Sequence, residues 1–393
     1  MYLSHLALTD FRNYRHLELT LGPGFSLFSG ENAQGKTNLL EAVAMISTST
    51  SFHASADREV VNWYAHDHLA RIEAAAQRRQ DQVEVELVVF DPTPPDMGRS
   101  TEPGRRIEIP LSAQRKRIKI NHVPKRSLDL IGQVTNVLFA PADLHLVDGS
   151  PDERRRFLDR CLCQVQPRYC QALQQYRKII TQRAALLKRI RDYQEDPRQL
   201  DYLDERLTTL ASLLLFERQR LIGALNDLAQ PLQEEISGGR EQLQVVYRPT
   251  FKVDPGWSQA EAQPHYRQQL RDARRKEIQQ GVCLLGPHRD DLDFLVNGMS
   301  MITYGSRGQQ RTVALSTKLA ELAYMRAATG DEPVLLLDDV FSELDIPRRA
   351  HLLQAVLQHE QVLLTTTDYA SFPPEILARS HTYQVVNGEI HPL

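Results

Sequence analysis

Long apolar runs are absent from this sequence of 393 residues. No segment approaches the ~18 consecutive apolar residues that a bilayer-spanning helix needs. The first stretch, MYLSHLALTDFRNYRHLELTL, alternates apolar and polar residues like a strand and lacks the apolar core of a signal peptide. The sequence therefore predicts neither a membrane partner nor export.

Cysteine is also scarce. The chain has four cysteines, none of them paired at the spacing of metal ligands, and no cluster of His and Cys completes a zinc site. We therefore expect a protein of the reducing cytoplasm.

A strong charge of either sign is missing too. The net charge is −3, with 41% hydrophobic and 25% charged residues, which is typical of a globular protein and gives no global attraction to polyanions. Any contact with nucleic acid must come from local basic patches. The length predicts two or three domains.

The order of predicted elements indicates an α/β protein with a helical insertion. Residues 1–29, 69–90 and 105–121 have strand-like patterns, with the Pro/Gly-rich loop DPTPPDMGRSTEPG before the last of these. From 152 to 236 helix formers dominate, and EDPRQLD at 195–201 is the expected tip of a helical hairpin.

Leucines from Leu207 to Leu232 recur at a spacing near 3.5 and predict a second hairpin arm of roughly 26 residues, or ~40 Å. Strand-like sequence returns at 282, where we expect the mixed sheet to resume. The predicted divisions are 1–150, 151–281 and 282–393.

GENAQGKT at 30–37 fits the phosphate-loop pattern G-x-x-x-x-G-K-[ST]. It lies between the apolar strand FSLFS and the helical segment NLLEAVAMI, as the pattern requires. Gly30 and Gly35 let the backbone curl so that N–H groups face phosphate oxygens. Lys36 is expected to reach the β- and γ-phosphates, and Thr37 to ligate Mg²⁺.

PVLLLDDVFSELD supplies the carboxylates that such a loop needs. Its apolar run, 334–337, is typical of a central parallel strand. Asp338 then becomes the expected partner of Mg²⁺, and Asp339 is placed to polarise the attacking water.

A second candidate anion site lies in YGSRGQQRTV, residues 304–313, where a glycine-bracketed turn opens a helix. A capped helix start with Ser306 as N-cap is one interpretation. The other is an anion site at the helix N-terminus. Since one nucleotide site already has its lysine and its carboxylates, the second interpretation suits a head-to-tail dimer in which Ser306, Gly308 and Gln309 close over the nucleotide of the other subunit.

Together these segments resemble the ABC-type ATPases and, more narrowly, the RecF recombination-repair family, relatives of the SMC and Rad50-like ATPases. The resemblance rests on LTDFRNYRHLEL, NAQGKTNLLEA, FAPADLHLVDGSPDERRRFLD, GPHRDD, SRGQQRT and LLLDDVFSELDIPRR, which span nearly the whole chain.

The resemblance implies an ABC-type ATPase lobe, with ATP and Mg²⁺ as cofactors. It implies that Asp338 serves the metal, that Asp339 and Lys36 act in catalysis, that Ser306 opens the trans signature, and that Arg12 touches a phosphate. The implied nucleotide-binding residues of the loop are Gly30, Glu31, Asn32, Ala33, Gln34, Gly35, Lys36 and Thr37.

The resemblance also implies an ATP-dependent homodimer on duplex DNA near gaps and single-strand junctions. RecR- and RecO-like mediators and, indirectly, a RecA-like recombinase would be its partners. Thr365 to Thr367 occupy the place where many cassettes have a histidine, so we expect slow hydrolysis.

Two basic segments are candidates for DNA contact. Residues 172–191 carry six basic residues and no acid, and at ~100° per residue most of them gather opposite the apolar face, whereas Arg183 falls on the apolar side. Residues 105–126 hold eight basic residues and one acid, Glu108. Solvated charged faces are the alternative interpretation. The predicted DNA-binding residues are Arg177, Lys178, Lys188, Arg189, Arg191, Arg115, Arg117 and Lys119.

Two other functions remain open from the residues alone. A metabolic kinase would need an acceptor pocket and has no use for the 306–311 turn. A transporter cassette would not explain the helical insertion with its basic face.

Overall fold

The computed structural model describes residues 1–91, 115–251, 253–254, 257–369 and 372–393. The strands are, in chain order, β1 (Tyr2–Phe11), β2 (Tyr14–Thr20), β3 (Gly24–Ser29), β4 (Leu69–Gln77), β5 (Gln82–Phe90), β6 (Lys116–Ile120), β7 (Val123–Lys125), β8 (Asn136–Phe139), β9 (Leu243–Arg248), β10 (Asp291–Val296), β11 (Met299–Ser300), β12 (Val334–Asp338), β13 (Gln361–Thr366), β14 (Ser380–Val386) and β15 (Glu389–Pro392).

The α-helices are α1 (Lys36–Thr48), α2 (Ser127–Leu130), α3 (Pro151–Val165), α4 (Pro167–Tyr193), α5 (Leu200–Ser237), α6 (Gln259–Gln280), α7 (Met301–Tyr304), α8 (Arg307–Thr329), α9 (Ile346–Val356) and α10 (Pro374–Leu377). The Pro/Gly-rich loop predicted between β5 and β6, except for Asp91, and basic residues 105 and 106 lie outside the described residues. No helix within the described ranges is long and apolar enough to cross a membrane.

The chain folds into two compact units. Unit 1 comprises Met1–Pro141, Gly330–Asp345 and Leu352–Leu393, and unit 2 comprises Ala142–Thr329 and Ile346–His351.

Unit 1 contains two six-stranded sheets. One has the order β2-β1-β4-β5-β6-β7, and every neighbouring pair in it is antiparallel. The other has the order β15-β14-β3-β13-β12-β8, and all of it except the β14–β15 pair is parallel. Helix α1 belongs to one hydrophobic core with residues of both sheets, which explains why apolar side chains surround much of it.

The parallel strands bring the predicted nucleotide residues to one edge. Strand β3 ends at Ser29 just before the phosphate loop, β12 ends at Asp338, and β13 ends at Thr366. Because β3 and β12 both pair in parallel with β13, their carboxyl ends meet at the same side of the sheet.

Unit 2 shows that the division predicted at 282 is wrong. Strand β10 pairs with β9 and β11 in a separate three-stranded antiparallel sheet, and the chain re-enters unit 1 only at Gly330. The strand-like sequence predicted a strand in this region but carries no information about its partner. The first division falls after Pro141 instead of at 150.

The helical hairpin is present, with its tip between Tyr193 and Leu200. Its first arm, α4, has 27 residues, but its second arm, α5, has 38 and is longer than the predicted 26. The leucine repeat from Leu207 to Leu232 marked only the middle of α5, because this helix begins at Leu200 and ends at Ser237.

Candidate functional site

The phosphate loop needs glycine at both of its predicted positions. A Cβ on Gly30 would lie 2.4 Å from the carbonyl oxygen of Val385 in the neighbouring strand. Gly35 has φ +116°, and a Cβ there would lie 2.6 Å from Nδ2 of Asn13. The tight curl is therefore possible only without side chains. Glu31, Asn32 and Ala33 lie between the glycines and are exposed.

Lys36 opens α1 and is buried. Its Nζ donates to the carbonyl oxygens of Gly30 and Glu31, both at 2.7 Å. Burial lowers the pKa of this ammonium group, while the charges of Asp339 and Asp338 act in the opposite direction. A positive charge is thus held against the loop and near two carboxylates.

Thr37 and Asp338 meet as the sequence predicts. The Thr37 hydroxyl donates to Oδ1 of Asp338 at 2.9 Å, and the Thr365 hydroxyl donates to the same oxygen at 2.8 Å. Although 301 residues separate them, Thr37 and Asp338 form a hydroxyl–carboxylate pair of the kind that oxygen-seeking cations prefer.

Asp339 has a left-handed backbone with φ 47°, which is unusual for a residue other than glycine. Its N–H is held by the carbonyl oxygen and the hydroxyl of Thr365, each at 3.1 Å. Burial raises the pKa of the Asp339 carboxyl, and a hydrogen bond from the backbone of Thr367 and the charge of Lys36 oppose that rise. The geometry therefore presents a carboxyl of increased basicity beside the loop.

Sequence reasoning missed the groups that brace the loop from behind. The carbonyl oxygen of Gln34 accepts from Nδ2 of Asn13 at 2.8 Å and from the N–H of Gly388 at 3.0 Å. Oε1 of Gln34 accepts from the N–H of Asn387 at 2.7 Å, so this side chain anchors the loop. The sequence signal for this contact was Asn-Gly at 387–388, but on its own this pair predicts only a hairpin turn.

Arg12 has protein partners. Its Nε and Nη2 donate to the two carboxylate oxygens of the fully buried Glu41 on α1, at 2.8 and 2.7 Å, and its Nη1 donates to the carbonyl of Glu59. This bidentate pair fixes the β1–β2 turn to the helix that follows the loop. A contact of Arg12 with phosphate stays a prediction.

The signature turn lies in unit 2, not with the last part of the sheet. Ser306 caps α8: its hydroxyl accepts from the N–H of Gln309 at 3.3 Å, and its own N–H donates to Oε1 of Gln309 at 3.1 Å. This reciprocal capping box agrees with the interpretation of Ser306 as an N-cap, and the role of the turn in a second subunit's site stays a prediction. Gly308 follows in the first turn, where helical N–H groups lack intrahelical partners.

Nε2 of Gln309 donates to Oε1 of Glu241 at 2.9 Å. The side-chain amide of Gln309 is thus engaged within unit 2 on both its oxygen and its nitrogen. Glu241 was not found from sequence, because no local pattern connects it to α8.

The basic face of α4 is less free than the sequence indicated. Arg177 pairs with Asp159 of α3 at 3.0 Å, Arg191 with Asp192 at 2.7 Å, and Arg189 with Glu195 at 3.6 Å. These acids lie outside the segment 172–191, so a count of charges within that segment did not show that they neutralise its basic residues. Among the described residues, Lys178 and Lys188 are exposed and form no ion pair. Arg183 is buried and bonded to Asp204, as its apolar-side position predicts.

The described part of the second basic segment is also partly neutralised. Lys119 pairs with Glu86 of the adjacent strand β5 at 2.6 Å, and Lys116 pairs with Asp57 at 2.7 Å. Glu86 and Asp57 lie outside the segment 105–126, so the count of one acid within it, Glu108, did not include them; Glu108 itself lies outside the described residues. Arg115 and Arg117 are exposed, and the Arg117 guanidinium lies 5.9 Å from the ring of Phe90.

Comparisons of the sequence with known proteins point to one family. The model of the RecF/RecN/SMC N terminal domain matches residues 2–373. The DNA replication and repair protein RecF of Chloroflexus aurantiacus is 44% identical over 401 residues, with 99% of each chain covered. The protein of the same name from Bacillus subtilis is 38% identical over 392 residues, covering 99% of this chain and 100% of its own.

The fold agrees with solved structures. The recombination mediator protein RecF-ATPrS of the RecFOR pathway superposes with a TM-score of 0.87 at 27% identity, covering 100% of this chain and 98% of that one. An Smc head domain from Pyrococcus furiosus, at 14% identity and a TM-score of 0.53, shows the shared fold alone. These matches confirm the predicted resemblance and fold class, and they favour neither a metabolic kinase nor a transporter cassette. With its phosphate loop, paired acids and capped signature turn, the chain therefore belongs to the RecF family of DNA replication and repair proteins and has their ABC-type ATPase fold.

Proposed function

We propose that this protein is an ATP-dependent DNA clamp whose ATP-bound homodimer holds duplex DNA near gaps and single-strand junctions. Slow hydrolysis of ATP would release it, with RecR- and RecO-like mediators assisting the loading of a RecA-like recombinase. RecF bound to ATP in the RecFOR pathway is the relative that supports this role.

The residues present fit a magnesium–ATP complex. The left-handed Gly35 shapes a loop whose N–H groups suit phosphate oxygens, Lys36 provides the positive charge, and the Thr37–Asp338 pair provides oxygen ligands. Magnesium, when bound, would offset the charge of the phosphates. The contact at 2.9 Å between Thr37 and Asp338 is the strongest support, since it joins two motifs 301 residues apart.

Asp339 would accept a proton from the attacking water. Its raised pKa makes it a better proton acceptor than an exposed aspartate, and its backbone is held by Thr365. Threonines stand at 365–367, so Asp339 would act without a neighbouring histidine there, in keeping with slow turnover.

The signature turn would act on the nucleotide of a second copy. The first-turn N–H groups of α8 and the Ser306 hydroxyl form an anion-binding helix start, and they lie in a different unit from the phosphate loop. Exchange of signature turns across a two-fold dimer would make two composite sites.

DNA would contact the exposed basic residues that form no ion pair among the described residues. Lys178 and Lys188 on α4 and Arg115 and Arg117 near β6 are the main candidates. Arg177, Arg189, Arg191 and Lys119 could contribute only by exchanging a carboxylate for a phosphate, so we expect smaller effects from them.

Mixing two inactive variants tests the composite site. Lys36→Ala removes the loop cation, and Ser306→Arg blocks the signature turn. Each variant alone should lack ATPase activity, whereas an equal mixture should recover part of it, because every mixed dimer would hold one intact site of two.

Lys36→Ala mixed with Asp339→Asn is the matched control. Both changes affect the nucleotide side of the site, so no intact site arises and no recovery should occur. A mixture of Lys36→Ala and Ser306→Arg that stays inactive, although both variants are folded by circular dichroism, would contradict the composite site.

A further inference from the structure

We infer that Glu241 is the positioning residue that sets the conformation of the signature turn and ties it to the end of the long helical arm α5. The part of this inference that concerns dimerisation rests on the proposed function, whereas the part that concerns conformation does not.

Both carboxylate oxygens of Glu241 accept hydrogen bonds from glutamine amides. Oε1 accepts from Nε2 of Gln309 at 2.9 Å, and Oε2 accepts from Nε2 of Gln233 at 2.7 Å. Such bonds to an ionised acceptor are stronger than those between neutral groups. One carboxylate therefore holds α5, through Gln233, and α8, through Gln309.

The bond to Glu241 determines which way the amide of Gln309 faces. With its nitrogen on Glu241, Gln309 presents its oxygen to the N–H of Ser306 at 3.1 Å and so completes the capping box. In this arrangement both the oxygen and the nitrogen of the Gln309 amide have hydrogen-bond partners within the protein. The groups left to face an anion are then the Ser306 hydroxyl and the N–H groups of the first turn of α8.

Gln233 extends the connection to a second point on α8. It is fully buried, and its Oε1 accepts from the hydroxyl of Ser316, also fully buried, at 2.9 Å. Ser316 lies two helical turns after Gln309, so both positions are on the same face of α8. Glu241 thus supports α8 directly at its start and through Gln233 further along.

Glu241 itself is anchored to the end of α5. Gly238 and Gly239, both with positive φ, reverse the chain after the last turn, and the N–H of Glu241 donates to the hydroxyl of Ser237 at 3.1 Å. Nε of Arg240 donates to the carbonyl of the same serine at 2.8 Å. If the end of α5 moves, the carboxylate of Glu241 would therefore move with it and would displace the signature turn to which it is bonded.

Hydrogen–deuterium exchange tests the positioning directly. Glu241→Ala should raise the exchange rate of amides at 305–312 at least tenfold and leave peptides of the phosphate loop, 30–37, unchanged. Glu241→Gln keeps the size of the side chain and one acceptor, so it should give an intermediate rate. Glu234→Ala is the matched control, because this acid lies at the same helix end, accepts from Gln230, and makes no hydrogen bond to α8 among the described residues.

Dimerisation provides the second readout. With ATP, Glu241→Ala should weaken the dimer at least tenfold while the affinity of the monomer for nucleotide stays that of wild type, and Glu234→Ala should behave as wild type. A merely structural defect would lower both quantities and the melting temperature together.

Unchanged exchange at 305–312 in Glu241→Ala would overturn the inference. So would wild-type dimerisation of that variant. If the wild-type protein itself stays monomeric with ATP, the proposed function fails, and the exchange result alone decides the role of Glu241 in positioning the turn.

Discussion

At the scale of single residues, the nucleotide loop depends on contacts that leave no room for extra atoms. Gly35 is left-handed and faces the amide of Asn13, which holds Gln34 by its carbonyl oxygen. The hydroxyl of Tyr14 donates to the carbonyl of Gly35 at 3.0 Å. Hydrogen bonds from the β1–β2 turn therefore hold the loop in its curled conformation.

Substitution of this glycine should disable the loop. In Gly35→Ala the new Cβ would lie 2.6 Å from Nδ2 of Asn13 and the left-handed backbone would be strained by about 1–3 kcal/mol. We expect nucleotide affinity, measured by titration with a fluorescent ATP analogue, to fall at least tenfold. Gly22→Ala is the control, since nothing lies within 4 Å of its Cβ and its φ is not positive. Equal affinities for the two variants would show that the loop tolerates a side chain.

The predictability of each residue follows from where its partners lie in the chain. Lys36 and Thr37 were found because the phosphate-loop pattern is local, and Asp338 because an apolar strand ends beside it. Asn387 and Glu241 were not found, because their partners are 353 and 68 residues away and their own surroundings read as ordinary turns.

At the scale of elements, the GPHRDD segment at 286–291 connects the parts of unit 2. Arg218 of α5 donates to the carbonyl of Pro287 at 2.7 Å, and Tyr176 of α4 contacts Nδ1 of His288 at 2.6 Å. The fully buried Asp290 accepts from the hydroxyls of Tyr247 and Thr250. The sequence offered no role for this segment because its partners belong to separate elements, and the structure gives it one in packing.

His288 should make the stability of the protein sensitive to acid. Burial lowers its pKa to about 4, so between its ordinary pKa near 6.5 and about pH 4 the unfolded chain binds a proton that the folded chain does not. The free energy of unfolding should therefore fall as the pH falls through this window, by at most about 3 kcal/mol.

Urea unfolding at pH 7.5, 5.5 and 4.5 measures this effect. His288→Asn should show a smaller loss of stability from pH 7.5 to 4.5 than the wild type. His16→Asn changes an exposed histidine that forms no ion pair among the described residues, and it should match the wild type. Identical pH dependence in all three proteins would exclude His288 as the source.

The sequence predicted which segments form strands better than it predicted which strands pair with each other. The alternation at 69–90 predicted β4 and β5, and the apolar run before Asp338 predicted the parallel β12. The strand-like sequence noted from 282 gave a strand, β10, but not its sheet, since β10 pairs with β9 residues 43 to 53 positions earlier in the chain. The ion pairs of α4 were not predicted because their acids, Asp159, Asp192 and Glu195, lie outside the segment 172–191 in which charges were counted.

At the scale of the whole molecule, the proposed dimer joins the nucleotide loop of unit 1 in one copy with the signature turn of unit 2 in the other. Such a dimer should form only when ATP is bound, because the negative γ-phosphate would connect Lys36 of one copy to the start of α8 in the other. Hydrolysis would then set how long the pair remains on DNA.

The mass in solution with duplex DNA, measured by sedimentation with and without ATP, tests the ATP-dependent dimer. We predict a DNA-bound dimer for the wild type only when ATP is present, a longer-lived dimer for Asp339→Asn, and a monomer for Ser306→Arg under all conditions. A wild-type protein that remains monomeric with ATP, or a Ser306→Arg variant that dimerises as the wild type does, would contradict the clamp.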